Sequence, residues 1–217
     1  MRVMKNATTV GSLVLGLLLL PQLAFGECAP RLSGVTGNAV VSVIRLTGAQ
    51  GNGGSIDAGA MNTASSNWNS QCDNGSPQIT TQNGTTGMQV QVAFWSGSPN
   101  SYPTLTEGSC SSCACTKTRI NSAGQITDAT VHMFSEQNNG ASCTSSNSQI
   151  LTHELGHVQG LGHQNCSQSG CGGIMNGSTG LSGSVGAMEC SVVDNNFTTG
   201  AEAAGPGGGG QEGPCAT

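Results

Sequence analysis

The segment from Thr152 to Gln164, THELGHVQGLGHQ, contains three of the four histidines of the chain, with one carboxylate among them. On a helix, His153 and His157 are four residues apart and project from the same face, one turn from each other. That separation lets two imidazole nitrogens reach one ion at about 2.0–2.1 Å. Glu154, next to the first of them, is placed to hydrogen-bond a water held on the metal. Gly160 tolerates the left-handed conformation needed for a sharp turn. Leu161 and Gly162 carry the chain around, and His163 returns as a third ligand. Three nitrogen ligands leave a fourth position for water, which marks a catalytic zinc site rather than a closed structural one. The competing reading is a solvated helical face. Five fixed positions of this kind arise by chance with a frequency of roughly 6 × 10⁻⁵ over about 200 windows. Gly156 also argues against a bland helix: a mid-helix glycine costs about 1 kcal/mol relative to alanine, so its presence predicts close approach of another segment.

These residues need elements to hold them. Ser145 to Gln159 reads as a helix, N-capped by Ser145 or Ser146, with Ile150, Leu151, Leu155 and Val158 as its apolar stripe and Gly160 where a C-terminal cap belongs. Ile56, Ala60, Ala64 and Trp68 recur at intervals of four, predicting a helix over 56–68 with Trp68 in the core. A C-terminal helix is expected over 184–197. Strands are predicted at 39–44, 78–81, 88–95 and 126–134. In the third of these, Met88, Val90, Val92 and Phe94 alternate with Gln89, Gln91 and Ala93. His132, inside the last strand, reads as a packed or surface residue rather than a ligand. GAQGNGGS after the first strand and residues 96–108 read as loops.

Composition sets the frame. The chain has 217 residues, enough for one ordinary domain. Only 8% of residues are charged and 3% aromatic, so a modest core calls for further stabilisation. Ten cysteines (Cys28, Cys72, Cys110, Cys113, Cys115, Cys143, Cys166, Cys171, Cys190 and Cys215) predict disulfides formed in an oxidising compartment. The close trio Cys110, Cys113 and Cys115 belongs with them rather than with a metal site or redox pair. Arg2 and Lys5, an apolar run from Val10 to Leu20 and the small-residue end Ala24-Phe25-Gly26 predict a secretory signal over 1–26. Residues 27–200 then form the main domain, and 201–217 a Gly-rich flexible tail. Localisation is expected to be extracellular or periplasmic, without a membrane anchor once the signal is removed. Cleavage leaves four basic against eleven acidic side chains, too few cations for a phosphate backbone, which excludes nucleic acid as a partner.

The run from His153 to His163 matches HExxHxxGxxH, the signature of the metzincin zinc endopeptidases, and resembles their secreted, matrixin-like members. Gly173-Ile174-Met175-Asn176-Gly177 resembles the methionine turn of that family; Met188 is its rival, inside the expected last helix. Ile56 to Trp68, followed by Asn69, is similar to the family's first helix, and 124–131 to the strand before its active-site helix. The likeness spans roughly residues 35–197. It implies an α+β zincin fold: a twisted, mostly parallel five-stranded sheet, an active-site helix and a small C-terminal subdomain, here disulfide-rich. It also implies an edge strand for substrate near 112–116. Three positions depart from the pattern. Gln164 follows the third histidine where the subfamilies carry Asp, Glu, Pro, Ser or Thr. Gly177 stands where some members have a tyrosine ligand. The Pro-Arg-Cys-Gly cysteine switch is absent.

The expectation is a monomeric, secreted zinc (Zn2+) endopeptidase acting on a protein or peptide substrate. His153, His157 and His163 would hold the metal, Glu154 would act as general base and then general acid, and Met175 would pack beneath the imidazoles. Calcium (Ca2+) is compatible with this reading, though no residue pattern assigns it a site. With no propeptide evident after Glu27, the enzyme is either secreted active or restrained by a separate inhibitor. Two other classes compete. One is an inactive binding module on the same scaffold; the other is a disulfide-rich adhesive protein whose histidines store metal.

Overall fold

A computed structural model describes residues 43–72, 77–84, 86–103, 113–122, 125–163, 173–175 and 184–198. The expected signal over 1–26, Cys28, Gln164, Gly177 and the expected tail over 201–217 lie outside the described residues. The architecture is α+β: β1 (Val43–Ala49), α1 (Ala58–Gln71), β2 (Gln78–Thr80), β3 (Met88–Trp95), β4 (Ala114–Ile120), β5 (Ile126–Phe134), α2 (Asn147–Val158) and α3 (Ala187–Thr198). The strands form one five-stranded sheet in the order β2-β1-β3-β5-β4. All pairings are parallel except β4 with β5, so β4 is an antiparallel edge.

Alternation fixes which side of the sheet meets the helices. Met88, Val90 and Val92 of β3 are buried while Gln89 and Gln91 are exposed, as the period-two pattern predicts. Register then extends this face across the sheet. Val92 pairs with Gly48 of β1 and with Val131 of β5, and Val131 pairs with Thr116 of β4. Thr116 therefore stands on the core face, the side on which α2 packs. Ile44, Leu46, Ala129 and Met133 fill the same layer with Ile150, Leu151, Leu155 and Val158 of α2.

Helix α1 carries Ala60, Ala64 and Trp68 inward, with Ile56 buried just ahead of it. Asp57 caps it by accepting from the Gly59 amide. Trp68 is core, as its spacing predicts, and it also donates its indole N–H to the Thr152 carbonyl of α2 at 2.8 Å. Asn67 reaches the Thr152 hydroxyl. These bonds pin α1 against the histidine helix. Two disulfides bind the periphery. Cys72 at the end of α1 joins Cys190 of α3, and Cys113 at the start of β4 joins Cys143 ahead of α2. The first closes a loop of 118 residues; on the chain-entropy argument such a closure is worth about 4–5 kcal/mol. Cys115 is disulfide-bonded too, so the described cysteines are all oxidised and none is a thiolate ligand.

Several expected boundaries shift. The first strand runs to Ala49, past the expected end at Ile44, because Gly48 and Ala49 stay in register with Val92 and Ala93; the GAQ of the expected loop is partly strand. The first helix spans Ala58–Gln71 rather than 56–68, because Asp57 supplies a cap that fixes its start. The last helix begins at Ala187, three residues later than expected. β4 had no residue-pattern prediction of its own, and extends to Ile120 beyond the 112–116 that the resemblance implies. His132 is buried and accepts the Trp95 indole N–H at 3.1 Å, a packed residue as predicted.

Candidate metal centre

The histidine helix starts at a full capping box. The Ser146 hydroxyl accepts from the Gln149 amide, and the Gln149 side chain accepts from the Ser146 amide. Its other end explains how His163 returns. Gly160 takes a φ of 89°, left-handed backbone that favours glycine. The Gly160 amide donates to the His157 carbonyl and the Leu161 amide to the Gly156 carbonyl. This is a Schellman motif, in which the chain reverses over the helix end. It brings His163 back over the face that carries His153 and His157.

The three rings converge. The Nε2 atom of His163 lies 3.1 Å from Nε2 of His153 and 3.2 Å from Nε2 of His157. The opposite nitrogens of the two helical histidines are tied off. Nδ1 of His153 lies 2.6 Å from the Ile174 carbonyl, and Nδ1 of His157 lies 2.7 Å from the Leu161 carbonyl. A carbonyl oxygen only accepts, so each Nδ1 carries the proton and each Nε2 presents a lone pair. Two of the three ring nitrogens present lone pairs toward Nε2 of His163, which makes the cluster a nitrogen donor set that one cation could share. Tetrahedral zinc at about 2.0–2.1 Å from each nitrogen would set them roughly 3.3 Å apart, close to the two distances from His163 Nε2, and all three donor atoms lie within 4.8 Å of one another. The donor set therefore fits a metal ion, and among the described residues it is the one such group of metal-ligating side chains.

Burial tunes these groups. His153 and His157 are pushed down to about 4, chiefly by desolvation, so both remain neutral, which is the ligand form, well into the acid range. Glu154 is buried and shifted upward by desolvation, opposed by neighbouring His153 and by a hydrogen bond from Thr116. The Thr116 hydroxyl donates to Glu154 Oε2 at 2.7 Å and lies 3.2 Å from the Glu154 carbonyl.

The floor of the site is built from Ile174 and Met175, both fully buried. The Ile174 carbonyl orients His153, and the Met175 side chain packs against Gly156. A Cβ on Gly156 would lie well inside contact distance of Met175 Sδ and 3.3 Å from Trp68 Cζ2. The close approach predicted from this glycine is present, and the approaching residues are Met175 and Trp68. Gly156→Ala is expected to lower stability by about 1–3 kcal/mol through overpacking, despite the ~1 kcal/mol that alanine's helix propensity would add. Denaturant unfolding measures the sign; a more stable variant would mean that Met175 is not pinned there.

Two residues of the site escaped sequence reasoning. One is Thr116. The other is Glu189, fully buried on α3, whose Oε1 accepts the Met175 amide at 2.7 Å and whose Oε2 accepts the Gly186 amide at 2.5 Å. The second bond had a readable signal, since an acid three residues past a helix cap commonly reaches back to it. The first depends on packing alone. Of the residues expected at the site, His153, His157 and His163 meet, Glu154 lies beside them, and Met175 packs against Gly156. The chain matches no family model and no curated protein sequence.

Proposed function

We propose that this chain is a secreted zinc-dependent endopeptidase on a metzincin-type scaffold. The observation that carries this reading is the pairing of a convergent three-histidine donor set with a buried carboxylate next to it in sequence. A metal store needs the histidines alone. A buried, hydrogen-bonded Glu154 costs desolvation and is explained by proton transfer.

His153, His157 and His163 would hold the zinc. When bound there, zinc lowers the pKa of a coordinated water to about 7 and polarises a carbonyl oxygen. Glu154 takes a proton from the attacking water and passes it to the leaving amine, serving first as base and then as acid. The Ile174 and Leu161 carbonyls keep two imidazoles in the required tautomer throughout. Edge strand β4 offers main-chain groups along which an extended peptide can lie as a further strand, and it brings substrate to the side of α2 that carries Glu154. Secretion accords with oxidised cysteines, and no helix among the described residues is long and apolar enough to cross a membrane.

Metal removal tests the reading. Dialysis against a chelator is expected to abolish casein or gelatin cleavage by at least about 10²-fold, and stoichiometric zinc to restore it. Magnesium or calcium should not substitute, being poorly matched to imidazole ligands. Unchanged cleavage by fully stripped protein would overturn the proposal.

A further inference from the structure

The peptidase reading requires Glu154 to present one oxygen to water beside the metal ligands. A glutamate side chain has three rotatable bonds, and adjacency to His153 in sequence does not select among its rotamers. What selects here comes from another element. Thr116 of β4 is 38 residues away in sequence, yet its hydroxyl donates to Glu154 Oε2 at 2.7 Å. A hydroxyl has a single proton to donate, and the carboxylate is the closer acceptor than the Glu154 carbonyl at 3.2 Å. Sheet register fixes this encounter. Thr116 is paired with Val131, itself paired with Val92, so its side chain belongs to the row that faces α2. The strand in turn is anchored by the Cys113–Cys143 disulfide, which ties its start to the segment leading into α2.

We infer that Thr116 is a positioning residue for Glu154: by holding Oε2 it fixes the carboxylate rotamer and assigns the proton-carrying role to Oε1. The inference rests on the peptidase reading of the same site. It also gives β4 two duties, since the strand along which substrate would lie is the strand that holds the base. Threonine suits this place better than serine or valine. Its hydroxyl supplies the donor, which valine lacks, and its β-branching, which serine lacks, restricts χ1.

The test compares Thr116→Val and Thr116→Ser with wild type and Glu154→Gln, all loaded with zinc. Valine keeps shape and removes the donor. Thr116→Val is expected to lower kcat by about 10–100-fold with KM within about twofold, because misplacing a reacting group by about 1 Å costs on the order of 10² in rate. Thr116→Ser, which keeps the hydroxyl, should recover to within about fivefold of wild type. Bound zinc should be equal in all four proteins, since no metal ligand is touched. In the Glu154→Gln background, Thr116→Val should add little to the loss, the behaviour of two residues acting through one group. Thr116→Val with wild-type kcat, while Glu154→Gln is inactive, would overturn the positioning role and leave the peptidase reading standing. A loss that serine does not rescue, or that persists in full in the Glu154→Gln background, would assign Thr116 to strand structure and also overturn it. Inactive zinc-loaded wild type would instead remove the peptidase reading itself.

Discussion

Glu154→Gln is expected to bind zinc as the wild type does and to cleave protein substrates about 10²–10⁴-fold more slowly, the usual worth of a positioned general acid–base. Glutamine has the size of glutamate, and its amide oxygen can still accept the Thr116 hydroxyl, so the packing between β4 and α2 survives. The nitrogen set of His153, His157 and His163 is untouched, and so is its support from the Ile174 and Leu161 carbonyls. What is lost is an oxygen basic enough to take a proton. Metal content measured alongside casein or gelatin cleavage therefore separates the peptidase reading from its two rivals. A peptidase keeps zinc in both proteins and loses cleavage in one. An inactive binding module or a metal store keeps zinc in both and cleaves with neither. Equal cleavage by the two proteins would contradict the assigned role of Glu154.

The histidine cluster was legible in the sequence because its geometry is local. His153 and His157 need only helical spacing, and the return of His163 needs only a left-handed residue at Gly160. Strands β3 and β5 were legible for a similar reason: each buries one face heavily enough to print an alternation or a β-branched run. β4 is different. Its sequence, ACTKTRI, buries Ala114 and exposes the last two residues, so no apolar period marks it, and its identity as a strand comes from pairing with β5. Thr116 was invisible for the same reason, since a threonine acquires a role only when register places it against α2. The Cys72–Cys190 pairing is a tertiary fact as well; ten cysteines admit on the order of a thousand connectivities, and only proximity of α1 to α3 selects one.

Glu189 carries the other large expected effect, because a single peptide group joins it to His153. The amide between Ile174 and Met175 gives its N–H to Glu189 Oε1 at 2.7 Å and its C=O to the Nδ1 proton of His153 at 2.6 Å. A peptide unit is planar and conjugated, so a carboxylate on one end strengthens acceptance at the other. The arrangement is a carboxylate–histidine couple with an amide inserted between the partners. Glu189→Gln keeps one acceptor oxygen and turns the other contact into donor against donor, at either the Met175 or the Gly186 amide. Glu189 is fully buried, so water cannot step in. Stability should fall by about 1–3 kcal/mol for the unsatisfied donor, and zinc affinity by about 10–100-fold, the usual effect of losing an outer partner of a ligating histidine. Competition against a chromophoric chelator reads the affinity, and denaturant unfolding of metal-free protein reads the stability. A variant that loses stability but keeps wild-type zinc affinity would confine Glu189 to capping α3; loss of both places the α3 carboxylate in the support of His153, through the peptide group between Ile174 and Met175.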